Sequence, residues 1–224
     1  MPEPPGRNCR ADCDLLMLGP RTVQLLSVAS RPLGKGGPSD TPEGRLHGEL
    51  AELLAQWNGF YAFESALHVF GSGSGVEGGS IGQWNSPERW KTAYEGLADD
   101  FVFFAEDTFG SQFGIHGEQI WTFDPETAQA RVIASSVEDW ADQLLSNYEV
   151  LTGYPVIHAW QRAHGALPPG HRLVPKRPFV LGGEFDAANV YSLDAVEGML
   201  VRAELALQIK NMPDGSRIKY RILD

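Results

Sequence analysis

The chain has 224 residues, 42% of them hydrophobic, with six Trp and eleven Phe. That is enough apolar matter for a packed core, and it excludes wholesale disorder. The formal net charge of −11 is unevenly placed: residues 43–150 carry 4 basic and 18 acidic side chains, a net of −14, while 1–42 stand at +1 and 151–224 at +2. A field of that sign repels nucleic acid and draws in cationic partners, and no apolar run approaches the roughly 20 residues that span a bilayer.

Residues 1–42, rich in Pro, Gly, Arg and Ser with one apolar patch from Thr22 to Val28, read as a loosely ordered, peripheral segment. Leu15-Leu16-Met17-Leu18 is preceded by Asp12 and Asp14 and ended by Gly19-Pro20, which argues against a secretory leader and for a cytoplasmic protein. Cys9 and Cys13 lack both the further ligands of a zinc site and the spacing of a redox pair.

Leu46, Leu50, Leu53, Leu54 and Trp57 recur at helical spacing and predict an amphipathic helix stopped by Asn58-Gly59. Phe60 to Phe70 alternates as one strand, followed by a stretch over 71–82 with glycine at six of its twelve positions. That stretch lacks a P-loop lysine and carries Glu77, so it reads as a flexible loop rather than a phosphate cradle. Ser86-Pro87 opens a helix with Trp90, Tyr94 and Leu97 on one face.

The centre is Phe101 to Asp124, where apolar and aromatic residues recur between Gly and Asp punctuation as three strands of a meander. Phe101, Phe103 and Ala105 fall on one face of the first strand and Val102 and Phe104 on the other; Glu106 and Asp107 follow at an acidic corner, where they read as exposed. Asp124-Pro125 begins a type I turn and Ala130–Ala134 a further strand. Ser136 with Asp139 caps a helix striped by Trp140, Leu144, Leu145 and Tyr148, and a second helix covers Pro155 to His164. Beyond a Pro-rich connection the pattern predicts strands at Phe179–Leu181 and 189–196, and a helix around Ala203–Ile209 closed by Pro213-Asp214-Gly215. A last strand runs through Ile218, Tyr220 and Ile222. Gly182 and Gly183 permit a close approach, and Asp186 and Asn189 cap a turn.

By residue chemistry alone this is an acidic α+β protein with an aromatic core and no catalytic, metal or cofactor signature. Adjacent Glu106 and Asp107 point to opposite sides of an extended chain, which disfavours a shared acid-base role. As corner acids they suit contact with a basic partner, as does Glu118, and Trp84 beside the glycine stretch suits an aromatic anchor. The competing reading is a small hydrolase or transferase that uses His116 with Glu106 or Asp107. A metal at His116, Glu118 and Asp107 finds no supporting spacing.

Three pieces carry a family resemblance: Trp57-Asn58-Gly59 at a helix end, the glycine loop before Trp84, Trp90 and Tyr94, and FFAEDTFGSQF at 103–113 followed by FDPETA at 123–128. Over residues 43–150 the chain resembles the SUKH superfamily of yeast cell-wall-synthesis regulators and bacterial immunity proteins of polymorphic toxin systems. LGGEF, Asn189, Asp194 and Glu197 are similar to a C-terminal module of some type VI secretion immunity proteins. The resemblance implies an α+β fold with a mostly antiparallel sheet flanked by helices and a strand-helix-strand extension over 151–224 on the same core. It further implies a non-catalytic protein that neutralises a cognate, cationic toxin by direct binding, or else a scaffold of cell-envelope synthesis.

Overall fold

The computed structural model describes residues 18–35, 44–210 and 212–213. The predicted strand at Ile218–Ile222 and both cysteines lie outside these residues. Six strands form one antiparallel meander in sequence order: β1 (Phe60–Ala62), β2 (Leu67–Val69), β3 (Val102–Asp107), β4 (Gln112–His116), β5 (Gln119–Phe123) and β6 (Ala130–Ala134). Around it stand α1 (Pro20–Ser27), α2 (Arg45–Gln56), the short α3 (Ile81–Trp84), α4 (Val137–Thr152) and α5 (Tyr154–His164). The chain then forms a separate antiparallel pair, β7 (His171–Pro175) with β8 (Val190–Asp194), and ends in α6 (Ala195–Lys210). The fold is α+β, as its sequence pattern predicts.

Both faces of the sheet are buried at β2 and β3, which is why β3 is apolar on both sides. On one face Phe104 and Phe113 meet Trp140 of α4, with ring centroids 5.0 and 5.7 Å away. On the other, Phe103 and Phe123 pack against Trp90 and Tyr94. A bulge decides which residue faces where. Phe103 pairs with Gly114 but Ala105 pairs with Phe113, so Phe104 is the extra residue. Ala105 therefore shares the Phe113 face, not that of Phe103. Past the bulge, Glu106 lies on the Gln112 face and Asp107 on the opposite one.

Several local expectations change. The 60–70 stretch is not one strand but a hairpin, turned by Phe63, Glu64 and Ser65 at φ of 52, 54 and 72°. Three successive non-glycine residues in the left-handed region carry a conformational cost, offset where Glu64 ties to α5 through His158 (2.8 Å) and Tyr154 (3.2 Å). The helix expected after Pro87 is a run of turns around a 3₁₀ segment, Lys91–Tyr94, ended by left-handed Glu95 and Gly96. Phe179–Leu181 is a 3₁₀ turn between Pro178 and Gly182, not a strand, while the last helix begins earlier, at Ala195.

The N-terminal segment is not wholly loose. Helix α1 buries Leu25 and Leu26 against the core. Its first-turn N–H groups, which have no partner within the helix, donate from Arg21 (2.6 Å) and Thr22 (3.0 Å) to the Glu138 carboxylate of α4. Arg21 adds an ion pair to Asp142 at 2.6 Å.

Candidate functional site

The corner between β3 and β4 separates two acidic neighbours into two environments. Both were expected to be exposed contact residues. Both are instead buried, because β7, α5 and α6 cover the corner. Leu173 N donates to Thr108 O at 2.9 Å, and Thr108 N donates to Thr152 O at 3.1 Å.

On the first side, the sheet aligns Tyr61, His68, Glu106 and Gln112 as cross-strand neighbours on four successive strands. His68 Nδ1 lies 3.1 Å from Glu106 Oε1, and Arg172 of β7 brings Nε to 2.8 Å from the same oxygen. That Arg172 contact has the distance of an ion pair but not the alignment of a hydrogen bond, so its Nε and Nη2 have no hydrogen-bond partner among the described residues. Its Nη1 donates to Ser65 O at 3.3 Å, and the guanidinium stands over Tyr61. Burial pushes the Glu106 carboxyl up, but the Arg172 charge and the His68 hydrogen bond outweigh it and hold it below the usual carboxylate range. Burial pushes His68 down, so the imidazole is neutral and the cluster reduces to one anion and one cation. Gln112 orients it from the other side and accepts from Trp84 Nε1 at 2.7 Å. This is a closed latch between sheet and C-terminal segment. Trp84, expected as an exposed anchor, is core, stacked on Phe70 at 4.8 Å.

On the second side, Asp107 Oδ1 accepts from Phe109 N and Ser111 N, each at 2.8 Å, and so shapes the turn. Burial nevertheless raises its carboxyl to about 7 against those bonds and the nearby Arg202 charge. Asp107 lines a groove of about 500 Å³. One wall is aromatic: Phe179 and Phe185 stack at 4.0 Å, and Phe109 meets Phe179 edge-on at 4.9 Å. The end of α4 contributes Val150, and Gly153 lies where a Cβ would approach the Phe109 ring to 2.5 Å. Phe185 is 66% exposed and Val150 84%. Leaving such side chains in water forgoes roughly 1.5–3 kcal/mol each relative to full burial.

Charge surrounds this wall. Asp124 and Glu149 are exposed at the groove, and Glu126 is buried within it. Glu126 Oε2 accepts from Val180 N at 2.9 Å, whereas Oε1 has no partner among the described residues. Among the described residues Arg202 supplies the only basic side chain lining the groove, and it is occupied by the carbonyls of Phe109 and Gly198.

The remaining expected residues do not join either cluster. Glu118 sits at the β4–β5 turn, at the other end of the sheet from Asp107, and pairs with Arg45 at 3.2 Å. His116 is likewise four residues along β4 from the Gln112–Glu106 pair, roughly 13 Å at strand rise. The constellation of His116 with Glu106 or Asp107 therefore does not form. Among the described residues no group of three or more His, Cys, Asp or Glu is placed to hold a metal, and no helix is long and apolar enough to cross a membrane.

Sequence reasoning missed His68, Arg172, Arg202, Phe109, Glu126 and Phe185. A signal existed for two of them: His68 in ALHVF and Arg202 in MLVRAELAL are polar residues set inside apolar runs, the pattern of a buried group with a partner.

Fold and groove together define an α+β protein with a six-stranded antiparallel meander and an acid-rimmed apolar cleft. No protein-family model matches the chain, and no curated protein matches it. A solved structure, that of Atu4351 from Agrobacterium tumefaciens, is similar with a TM-score of 0.47 at 13% identity, covering 80% of this chain and 86% of that one. Similarity of that degree assigns neither fold nor activity.

Proposed function

We propose that this chain is a non-catalytic binding protein of the immunity type, which neutralises a cationic toxin by direct contact through its acidic surface. The observation that carries the reading is the net charge of −14 over residues 43–150, part of which lies exposed as Asp124 and Glu149 beside an open apolar cleft. Opposite charge steers encounter, and the apolar wall then supplies residence time. The contact residues differ from those expected from sequence: Glu106, Asp107 and Trp84 are interior, so exposed acids must do the steering. The resemblance of residues 43–150 to immunity proteins supports the same direction.

The test is co-expression with the product of the neighbouring reading frame, followed by stopped-flow association of the purified pair. Rescue of growth, with an association rate that falls at least about tenfold between low and high salt, is the expected result. Failure to rescue and to associate discards the proposal.

A further inference from the structure

We infer that the groove between the β3–β4 corner, the end of α4 and the 179–185 turn is a docking cleft. Its occupant is a short protein segment that presents an apolar side chain flanked by Lys or Arg. This deepens the binding reading above and rests on it. Two independent features point to that occupant. The first is apolar: Phe185 and Val150 are exposed and line one cleft together with Phe109 and Phe179, whereas isolated exposed apolar residues are the ordinary case.

The second is polar. Among the described residues four acidic side chains, Asp107, Asp124, Glu126 and Glu149, line the cleft with one basic side chain, Arg202; burial pushes the carboxyls of Asp107 and Glu126 up, and Asp124 and Glu149 are exposed. That guanidinium donates to two main-chain carbonyls and forms no ion pair among the described residues. Glu126 is 4% exposed and carries an acceptor oxygen with no partner among the described residues. An unmet buried acceptor favours a ligand that brings an N–H donor, and a charged donor most of all. A nucleic acid or an anionic lipid surface would meet the wrong sign of charge. The cleft's volume suits one large side chain and its neighbours.

The probe is a short fluorescein-labelled peptide with tryptophan and leucine at its centre and lysines on either side, read by fluorescence anisotropy against the full chain. Saturable binding is expected, weakened about tenfold by Phe185→Ser and by Glu126→Gln and about threefold by Glu149→Gln. Replacing the peptide's lysines with glutamates, or its tryptophan and leucine with serines, removes binding. Phe185 and Val150 are exposed, so Phe185→Ser and Val150→Ser keep the fold, which circular dichroism verifies. Unchanged affinity in both of those variants, or equal binding of the glutamate peptide, overturns the inference.

Removing residues 214–224 gives a further discriminating arm, because that sequence carries Arg217, Lys219 and Arg221 between apolar residues. Peptide binding that becomes markedly tighter on removal would make the chain's own tail the occupant and overturn the assignment to a partner. Unchanged affinity supports it. If the intact chain associates with the neighbouring toxin and protects cells, while Phe185→Ser and Val150→Ser protect equally well, the cleft assignment fails and the immunity reading stands. If the intact chain neither associates nor protects, the immunity reading fails, and peptide binding still tests the cleft by itself.

Discussion

Glu106 and Asp107 are neighbours in sequence, and the structure sends them to opposite fates. Glu106 faces a charge brought from 66 residues away, with a histidine and a glutamine beside it, and has little left to offer a ligand. Asp107 faces a cleft whose acidic side chains outnumber its basic ones among the described residues. A buried acid with a cation on it is part of the scaffold, whereas one beside another acid whose oxygen lacks a donor marks surface available to a partner. The two also titrate in opposite directions, one held down by its cation and the other pushed up by its dry surroundings.

The largest effect tests the latch. Arg172→Met strands Glu106 in the interior, and urea denaturation should show a loss of about 3–5 kcal/mol. The double variant Arg172→Met with Glu106→Gln should recover a good part of it, since no charge is left unmatched. A double variant as unstable as the sum of the singles would break the comparison by showing that packing, not charge, holds the latch.

The next effect is a dependence on pH. Folding raises Asp107 from 3.8 in the open chain to about 7, so the fold favours its protonated form. The stability this supplies is complete below about pH 4 and is lost as pH rises through about 7. Asp107→Asn keeps an acceptor for the turn and removes the charge, so it should gain on the natural chain by roughly 2–4 kcal/mol between pH 4 and pH 8. Parallel stability curves for the two proteins across that range would contradict an Asp107 carboxyl raised by burial. Glu106 contributes with the opposite sign: its share of stability is present above the usual carboxylate range and is lost in acid, as pH falls through its lowered value.

Smaller still, Gly153→Ala adds a Cβ against the Phe109 ring at a φ of 69°, and thermal unfolding should show a loss of about 1–3 kcal/mol. Smallest is Phe185→Ser, which should change stability by less than about 0.5 kcal/mol while it alters peptide binding. A cleft residue that costs stability as a core residue does would erase the distinction between the two sides.

Much of the framework was legible. The helices over 45–56, 137–152 and 154–164 and the strand Ala130–Ala134 follow from local periodicity, caps and stop residues, and the Ser136 cap forms as predicted, accepting from Asp139 N at 3.0 Å. What escaped was nonlocal or had no signature. The hairpin at Phe63–Ser65 uses ordinary residues in a conformation that glycine usually marks. The bulge at Phe104 reverses the pleat, and nothing in VFFAED announces it. An acidic pair at a turn reads as exposed only if nothing packs over the turn. Here a segment more than 60 residues downstream does, and the cleft likewise gathers Phe109, Glu126, Val150, Phe185 and Arg202 from across the chain.

The Arg172 contact also ties the large sheet to the C-terminal segment. A polypeptide ending near residue 150 would keep every strand of the large sheet yet leave Glu106 without its cation. The change in charge along the sequence near that point is thus bridged in the fold by a buried side-chain contact.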